Sequence, residues 1–169
     1  MNPTKNSRTE KLQTVLVLVG AAAILVSGWV HFRLYFRGGY RGIAPESFAG
    51  LTISRSFALQ AITAVVIAEL LVLSLRISRL LLPAAASGVL FASGSLVAYT
   101  LSRTSGLLGF VEHSTTTDAV IAIVAEVVAV VTLLPVAAYA LRSWRVARRR
   151  PQPATDSAAS AAPASSASA

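Results

Sequence analysis

Four long apolar stretches divide the 169-residue chain. The first and third contain no charged side chain, and the second and fourth contain one carboxylate each. A helix needs about 20 apolar residues to cross a hydrocarbon core of about 30 Å, so each stretch is long enough to span a membrane. Four of them leave too little polar chain to cover them in a soluble protein. The pattern predicts an all-α membrane protein, an antiparallel bundle of four transmembrane helices. The stretches are residues 12–30, 56–75, 80–102 and 119–141.

The transmembrane domain predicted from these stretches covers residues 12–141, with a cytoplasmic segment before it (residues 1–11). The tail, residues 142–169, is basic at first and then consists almost entirely of Ala, Ser and Pro. Such a sequence cannot bury enough surface to offset its chain entropy, so we expect it to be disordered. The predicted helices span about 12–32, 56–75, 80–102 and 118–141.

The placement of the 15 Lys and Arg side chains predicts the orientation of the helices. Ten lie before the first helix, between the second and third, or after the fourth, and five lie on the opposite side. The positive-inside rule then predicts a plasma membrane protein with both termini in the cytoplasm. The first stretch exceeds the usual apolar length of a signal peptide and lacks a small-x-small cleavage site, so we expect a retained helix. Its aromatic side chains would form an interfacial belt: Trp29, Phe32, Tyr35 and Phe36.

Local signals indicate how the helices begin and pack. The connection RISRLLLP is short, with Pro83 suited to the first turn of helix 3, so helices 2 and 3 should form a tight hairpin. The segment STTTDAV offers several N-cap residues for helix 4. Helix 3 also carries a stripe of small residues, which favours close helix packing in lipid. The stripe consists of Ala84, Gly88, Ala92 and Ser95, followed by Tyr99.

Two acids, Glu69 and Glu126, lie within the predicted spans. A carboxylate in the membrane is costly, so each should face the bundle interior, be paired or be protonated. Measured from the outer side at 1.5 Å per residue, Glu69 would lie about 20 Å deep and Glu126 about 10 Å deep. This offset of roughly two turns is too large for a shared-proton dyad. Three interpretations stay open: a hydrogen-bonded structural role, the handling of protons or cations, and an interior ion pair with an arginine such as Arg103.

Polar residues at the outer ends of helices 1, 3 and 4 predict a candidate site. The segment LSRTSGLLGFVEHSTTTDAV should form an outer loop whose apolar middle lies on or dips into the membrane. Helix 1 ends, helix 3 ends and helix 4 begins at this face, so a compact bundle brings their polar groups together. We therefore expect one polar cavity that opens outward. Its predicted residues are His31, Arg103, Glu112, His113 and Glu126.

Several functional classes are excluded or disfavoured. The chain has no Cys, which excludes disulfides and thiolate chemistry. No catalytic motif is present, so we predict no enzyme and no cofactor. The two histidines, with nearby carboxylates, offer a weak zinc or copper signal, and we assign no metal site. The arginines follow the membrane topology and do not indicate nucleic acid. In the outer loop, HFRLYFRGGYRGIAPESF, they suit lipid phosphate, an envelope anion, an acidic partner or simple snorkelling.

Several short motifs carry a family resemblance. Helix 1 ends with a histidine followed by an aromatic and GYRGI; later come LSRTSGLLGFVE and an acid in VAEVVAV. Together they resemble a group of small four-helix integral membrane proteins of actinobacteria, over about residues 15–140. That group has no assigned activity, so the resemblance implies a bacterial membrane fold and no mechanism. The segment TISRSFALQAIT departs from the pattern. The positions marked by the resemblance are His31, Tyr40, Arg103, Gly106, Gly109, Glu112 and Glu126.

The sequence thus predicts a non-enzymatic integral membrane protein, an accessory or envelope component of the cell membrane. Its partners would be the lipid bilayer and either another membrane protein or further copies of the chain. The alternative is a small proton- or ion-coupled transporter, or a redox-partner bundle, that uses Glu69 and Glu126.

Overall fold

The computed structural model describes most of the chain between Pro3 and Arg149, with side chains from Arg8 onward. The predictions for the Ala/Ser/Pro tail, for most of the loop after helix 1 and for Leu108 to Phe110 lie outside the described residues. The described ranges are residues 3–38, 41, 52–107, 111–113 and 115–149.

Four α-helices make up nearly all of this described part, which contains no strand. They are α1 (Pro3–Arg37), α2 (Ile53–Ser74), α3 (Leu81–Thr104) and α4 (Thr117–Arg149). All four are long and apolar enough to cross a membrane, which confirms the all-α class and the four predicted helices. α1 extends beyond its predicted span at both ends, and α4 extends beyond its predicted span mainly at its C-terminal end. Their polar extensions contain no Gly and no internal Pro, so nothing in them breaks a helix.

The four helices do not pack equally on one another. α1 packs extensively on α2 and α4, and α3 packs on α4, whereas α2 touches α3 much less. A short 3₁₀ turn, Ser78–Leu80, joins α2 to α3, and Pro83 lies in the first turn of α3 as predicted. The two helices are joined by a short connection and touch each other, but they pack less tightly than the predicted hairpin requires, because α3 packs mainly on α4.

The side chain of one leucine packs between three of the helices. Leu133 of α4 is fully buried and packs against Gly20 of α1 and Gly88 of α3. A Cβ atom added at Gly88 would lie 2.5 Å from Leu133 Cδ1, so only glycine allows this approach. Around it, Ile24 and Leu71 are fully buried as well. This half of the bundle is therefore closed by apolar side chains.

The opposite half, which we call the cavity end, is where α1 and α3 end and α2 and α4 begin. Here the predicted aromatic belt forms a continuous ladder along α1. The rings of Trp29 and Phe32 stack with centroids 5.6 Å apart, and Phe36 lies 4.6 Å from Phe32 and 4.8 Å from Tyr35. Trp29, Phe32 and Phe36 are exposed on the outside of the bundle.

Candidate functional site

A single carboxylate lies in the middle of the described bundle. Glu126 of α4 is only 2% exposed. Ser27 Oγ of α1 donates a hydrogen bond to Glu126 Oε1 at 2.8 Å, and Ser95 Oγ of α3 donates to the same oxygen at 2.5 Å. Among the described residues, no basic side chain forms an ion pair with Glu126. The carboxylate is thus held by hydroxyl groups from two other helices without a compensating charge.

Two further side chains extend this arrangement to all four helices. Gln60 Nε2 of α2 donates to Ser95 Oγ at 2.5 Å. His31 Nδ1 lies 2.8 Å from the Ser27 carbonyl oxygen, and because a carbonyl only accepts, this ring nitrogen must carry the proton. The His31 ring also packs on Phe57, with centroids 5.3 Å apart. We call Ser27, His31, Gln60, Ser95 and Glu126 the polar network.

Helical spacing explains how these residues meet. Ser27 and His31 are four residues apart, so they share one face of α1, and both are buried. Ser95 continues the small-residue stripe of α3, one turn after the buried Ala92. The short side chains of this stripe let α3 approach α4 closely enough for Ser95 to reach Glu126. Most residues of the stripe therefore pack against neighbouring helices, and Ser95 makes a polar contact.

A cavity of about 110 Å³ opens beside the polar network. Its lining includes Glu126, Ser95, Gln60 and His31, and most of the lining surface is apolar. A water molecule takes up roughly 30 Å³ in the liquid, so this space suits a few waters. Sites for drug-sized ligands are several times larger, about 300–1,000 Å³. The cavity therefore fits water, a proton or a very small ligand.

Three described residues of the segment between α3 and α4 line the cavity, namely Leu107, Glu112 and Thr116. Gly106, just beyond the end of α3, has φ 84° and donates its N–H to the Leu101 carbonyl oxygen at 2.9 Å. The N–H of Glu112 then donates to the Ser102 carbonyl oxygen at 2.9 Å, which ties the returning chain to the end of α3. Thr116 Oγ1 accepts from the N–H of Ala119 at 3.2 Å and caps α4, as the hydroxyl cluster predicts.

The cavity contains some of the predicted site residues and not others. His31, Glu112 and Glu126 line it as predicted. Arg103 and His113 are exposed and do not line it. Arg103 makes no ion pair with any described acid, so its predicted role beside Glu126 is wrong. The reason is rotational: the preceding Ser102 faces inward, and one residue further along turns the side chain about 100° away.

Glu69 also departs from the prediction that both intramembrane acids face the interior. It is exposed on the outside of α2, whereas its neighbours Ala68 and Leu71 are buried in the core. It makes no ion pair with a described residue. The two acids therefore occupy different environments, and only Glu126 belongs to the cavity.

Sequence reasoning assigned no site role to three members of the network, Ser27, Gln60 and Ser95. Each is a polar side chain within an otherwise apolar span, and Ser27 stands one helical turn before His31. That spacing is the available signal, but serine is also common as a small packing residue in membrane helices. The network offers one imidazole and one carboxylate as possible metal ligands. No group of three such ligands occurs among the residues that the structure describes.

Comparison with known proteins identifies no relative of this chain. No protein-family model, curated protein or solved structure matches it. The resemblance to the actinobacterial membrane proteins stays a prediction, and the functional argument rests on the geometry of the polar network.

Proposed function

We propose that the protein is a multi-pass plasma membrane protein, with both termini in the cytoplasm, whose bundle takes up a proton at Glu126 from the outer side. It acts as a non-enzymatic accessory component that responds to external acidity. One observation carries this proposal: Glu126 is buried, lacks a counter-charge among the described residues and lines a cavity. An uncompensated carboxylate is costly within a membrane, and a proton neutralises it.

The surroundings favour a proton over a metal cation. Several arginines lie exposed at the cavity end, and one of them, Arg33, pairs with Asp118 at 3.5 Å. Their positive field repels every cation at the mouth, the hydrated proton included, so the preference rests on the ligands. A metal cation needs several protein ligands, and no group of three His, Cys, Asp or Glu side chains that could hold one occurs in the described part of the chain. A proton needs a single carboxylate oxygen and reaches Glu126 through the few water molecules that the cavity accommodates. The exposed arginines are Arg33, Arg37, Arg41, Arg55 and Arg103.

The closed half of the bundle favours an accessory role over transport. Beyond Glu126, fully buried apolar side chains from three helices fill the interior, among them Ile24, Leu71 and Leu133. A transporter has to open its site alternately to both sides. This packing supports access from one side, so proton uptake changes the charge state of the bundle without moving the proton across it.

The decisive measurement is the infrared titration of the carboxyl group in purified protein reconstituted in lipid. We expect a protonated-carboxyl C=O stretching band that grows on acidification and that loses one component in Glu126→Gln, while the other carboxyls keep theirs. The control Glu10→Gln removes an exposed carboxyl from the start of α1 and should leave the Glu126 component in place. If the band of Glu126→Gln equals that of the natural chain at every pH, Glu126 does not take up the proton.

A second measurement separates the accessory role from the transporter. Proteoliposomes with a trapped pH-sensitive dye should show no faster pH equilibration than empty liposomes. Glu126-dependent proton flux would favour the transporter instead.

Topology is tested by single-cysteine labelling, because the chain has no Cys of its own. A membrane-impermeant thiol reagent should label His113→Cys in intact cells. It should label Arg145→Cys only after the cells are opened. The reverse pattern would contradict the proposed orientation.

A further inference from the structure

The outside of α2 carries a regular row of exposed side chains. Its members follow one another at alternating spacings of three and four residues, the repeat that brings side chains of two parallel helices into register. Four are apolar and 45–65% exposed, and the fifth is the carboxylate of Glu69. We call this row the α2 seam. It consists of Leu59, Ile62, Val66, Glu69 and Leu73.

Lipid satisfies the four apolar members of the seam but not the fifth. Glu69 stands five residues before Ser74, the last residue of α2, which is roughly 8 Å along the helix axis. In a membrane-inserted bundle it therefore lies inside the hydrocarbon layer, facing outward. Acyl chains offer no hydrogen-bond partner there, and the described chain offers no ion pair either. An intramembrane acid in this position requires a partner from another molecule or pays the full cost of exposure to lipid.

We infer that the α2 seam is the contact surface between two copies of this chain, packed with their α2 helices parallel and the two Glu69 side chains facing each other. This inference rests on the proposed membrane insertion and is independent of proton uptake at Glu126.

A second copy suits the seam because its chemistry is self-complementary. Two copies inserted in the same orientation place Glu69 of each at the same depth, which a two-fold axis along the membrane normal requires. In the three–four repeat, Glu69 occupies a position whose side chain faces its counterpart directly. A protonated carboxyl donates to the carboxyl or carboxylate opposite, so one residue type supplies both donor and acceptor. Val66 and Leu73 pack on either side of this pair and exclude lipid from it.

Cysteine cross-linking tests the surface directly, and the natural chain is already free of Cys. The matched pair is Ile62→Cys on the seam and Val131→Cys on α4, because the native side chains are 65% and 66% exposed. In proteoliposomes at low protein density, mild oxidation should give a disulfide-linked dimer for Ile62→Cys and almost none for Val131→Cys. Equal cross-linking at both positions, or none at Ile62→Cys, overturns the inference.

The role of Glu69 is tested by measuring dimer formation at a series of protein-to-lipid ratios. We expect Glu69→Leu to weaken association about tenfold, as the loss of an interhelical hydrogen bond in a membrane predicts. Glu69→Gln should retain most of the association, because an amide also donates and accepts. Thr100→Leu, which removes an exposed hydroxyl from α3, should leave association unchanged. If Glu69→Leu associates as strongly as the natural chain, the carboxyl does not hold the dimer.

Two further outcomes separate the possible failures. If Ile62→Cys in native membranes forms adducts only with a different protein, the seam binds a foreign partner and self-association is wrong. If the topology labelling shows correct insertion while no dimer forms, self-association fails and the proposed membrane arrangement stands.

Discussion

Ser95 connects α2 to the buried carboxylate of Glu126, so removing its hydroxyl should break that connection. Its hydroxyl accepts from Gln60 and donates to Glu126, so Ser95→Ala removes both hydrogen bonds at once. Alanine fits the same small-residue stripe of α3, and the substitution leaves the packing of the helix largely unchanged. Any loss of stability in Ser95→Ala should therefore come from the lost hydrogen bonds and contain little contribution from altered packing.

The magnitude follows from the number of bonds lost. Interhelical hydrogen bonds within membrane proteins contribute on average about 0.6 kcal/mol each and up to about 1.7 kcal/mol. Two such bonds therefore predict a loss of about 1–3 kcal/mol in the free energy of unfolding, with the upper part of this range set by the charged acceptor. The matched control is Ser74→Ala: Ser74 is buried too, but its hydroxyl donates only to the Leu71 carbonyl within the same helix. That local bond contributes little, so we expect a change within about 0.5 kcal/mol.

The assay is reversible unfolding of the purified protein in bicelles, followed by circular dichroism as a denaturing detergent is added. A double-mutant cycle with Glu126→Leu, which has no acceptor, isolates the Ser95–Glu126 contribution, and we expect a coupling of about 1 kcal/mol. A loss for Ser95→Ala no larger than that for Ser74→Ala would refute the claim that the network links the helices. Full additivity in the cycle would show that the hydroxyl and the carboxylate do not interact.

Three further predictions address packing, capping and the exposed arginine. Gly88→Ala should cost about 1–3 kcal/mol of unfolding free energy through overpacking, whereas Gly94→Ala should be tolerated because its Cβ meets no atom within 4 Å; thermal unfolding in detergent distinguishes them. Thr116→Ala should cost about 1 kcal/mol by removing the cap of α4, measured in the same way. Arg103→Leu should change stability by no more than about 0.5 kcal/mol and match Arg37→Leu; a clearly larger loss for Arg103→Leu would mean that it contacts Glu126 after all.

The sequence alone determined the number of helices and much of their local detail. Four apolar stretches near bilayer length are expected to form helices, because the backbone polar groups of a segment in an apolar layer must form hydrogen bonds within that segment. The cap of α4 and the Pro83 start of α3 were also readable, since both depend on neighbouring residues only. The presence of an interior acid followed from the cost of a carboxylate in lipid, and Glu126 meets that expectation. Each of these conclusions needs only composition, length or short-range chemistry.

The tertiary structure decided which side of each helix faces inward, and with it the site. The apolar stretches are hydrophobic on all sides, so their pattern does not distinguish a lipid-facing side from a buried one. Glu69 and Glu126 look alike in sequence, yet one lies outside the bundle and the other at its centre. Ser27 and Ser95 became site residues because the helices around Gly20 and Gly88 approach closely enough to bring their hydroxyls to one carboxylate. That convergence depends on the rotation of each helix about its axis, which is set by side chains from other parts of the chain.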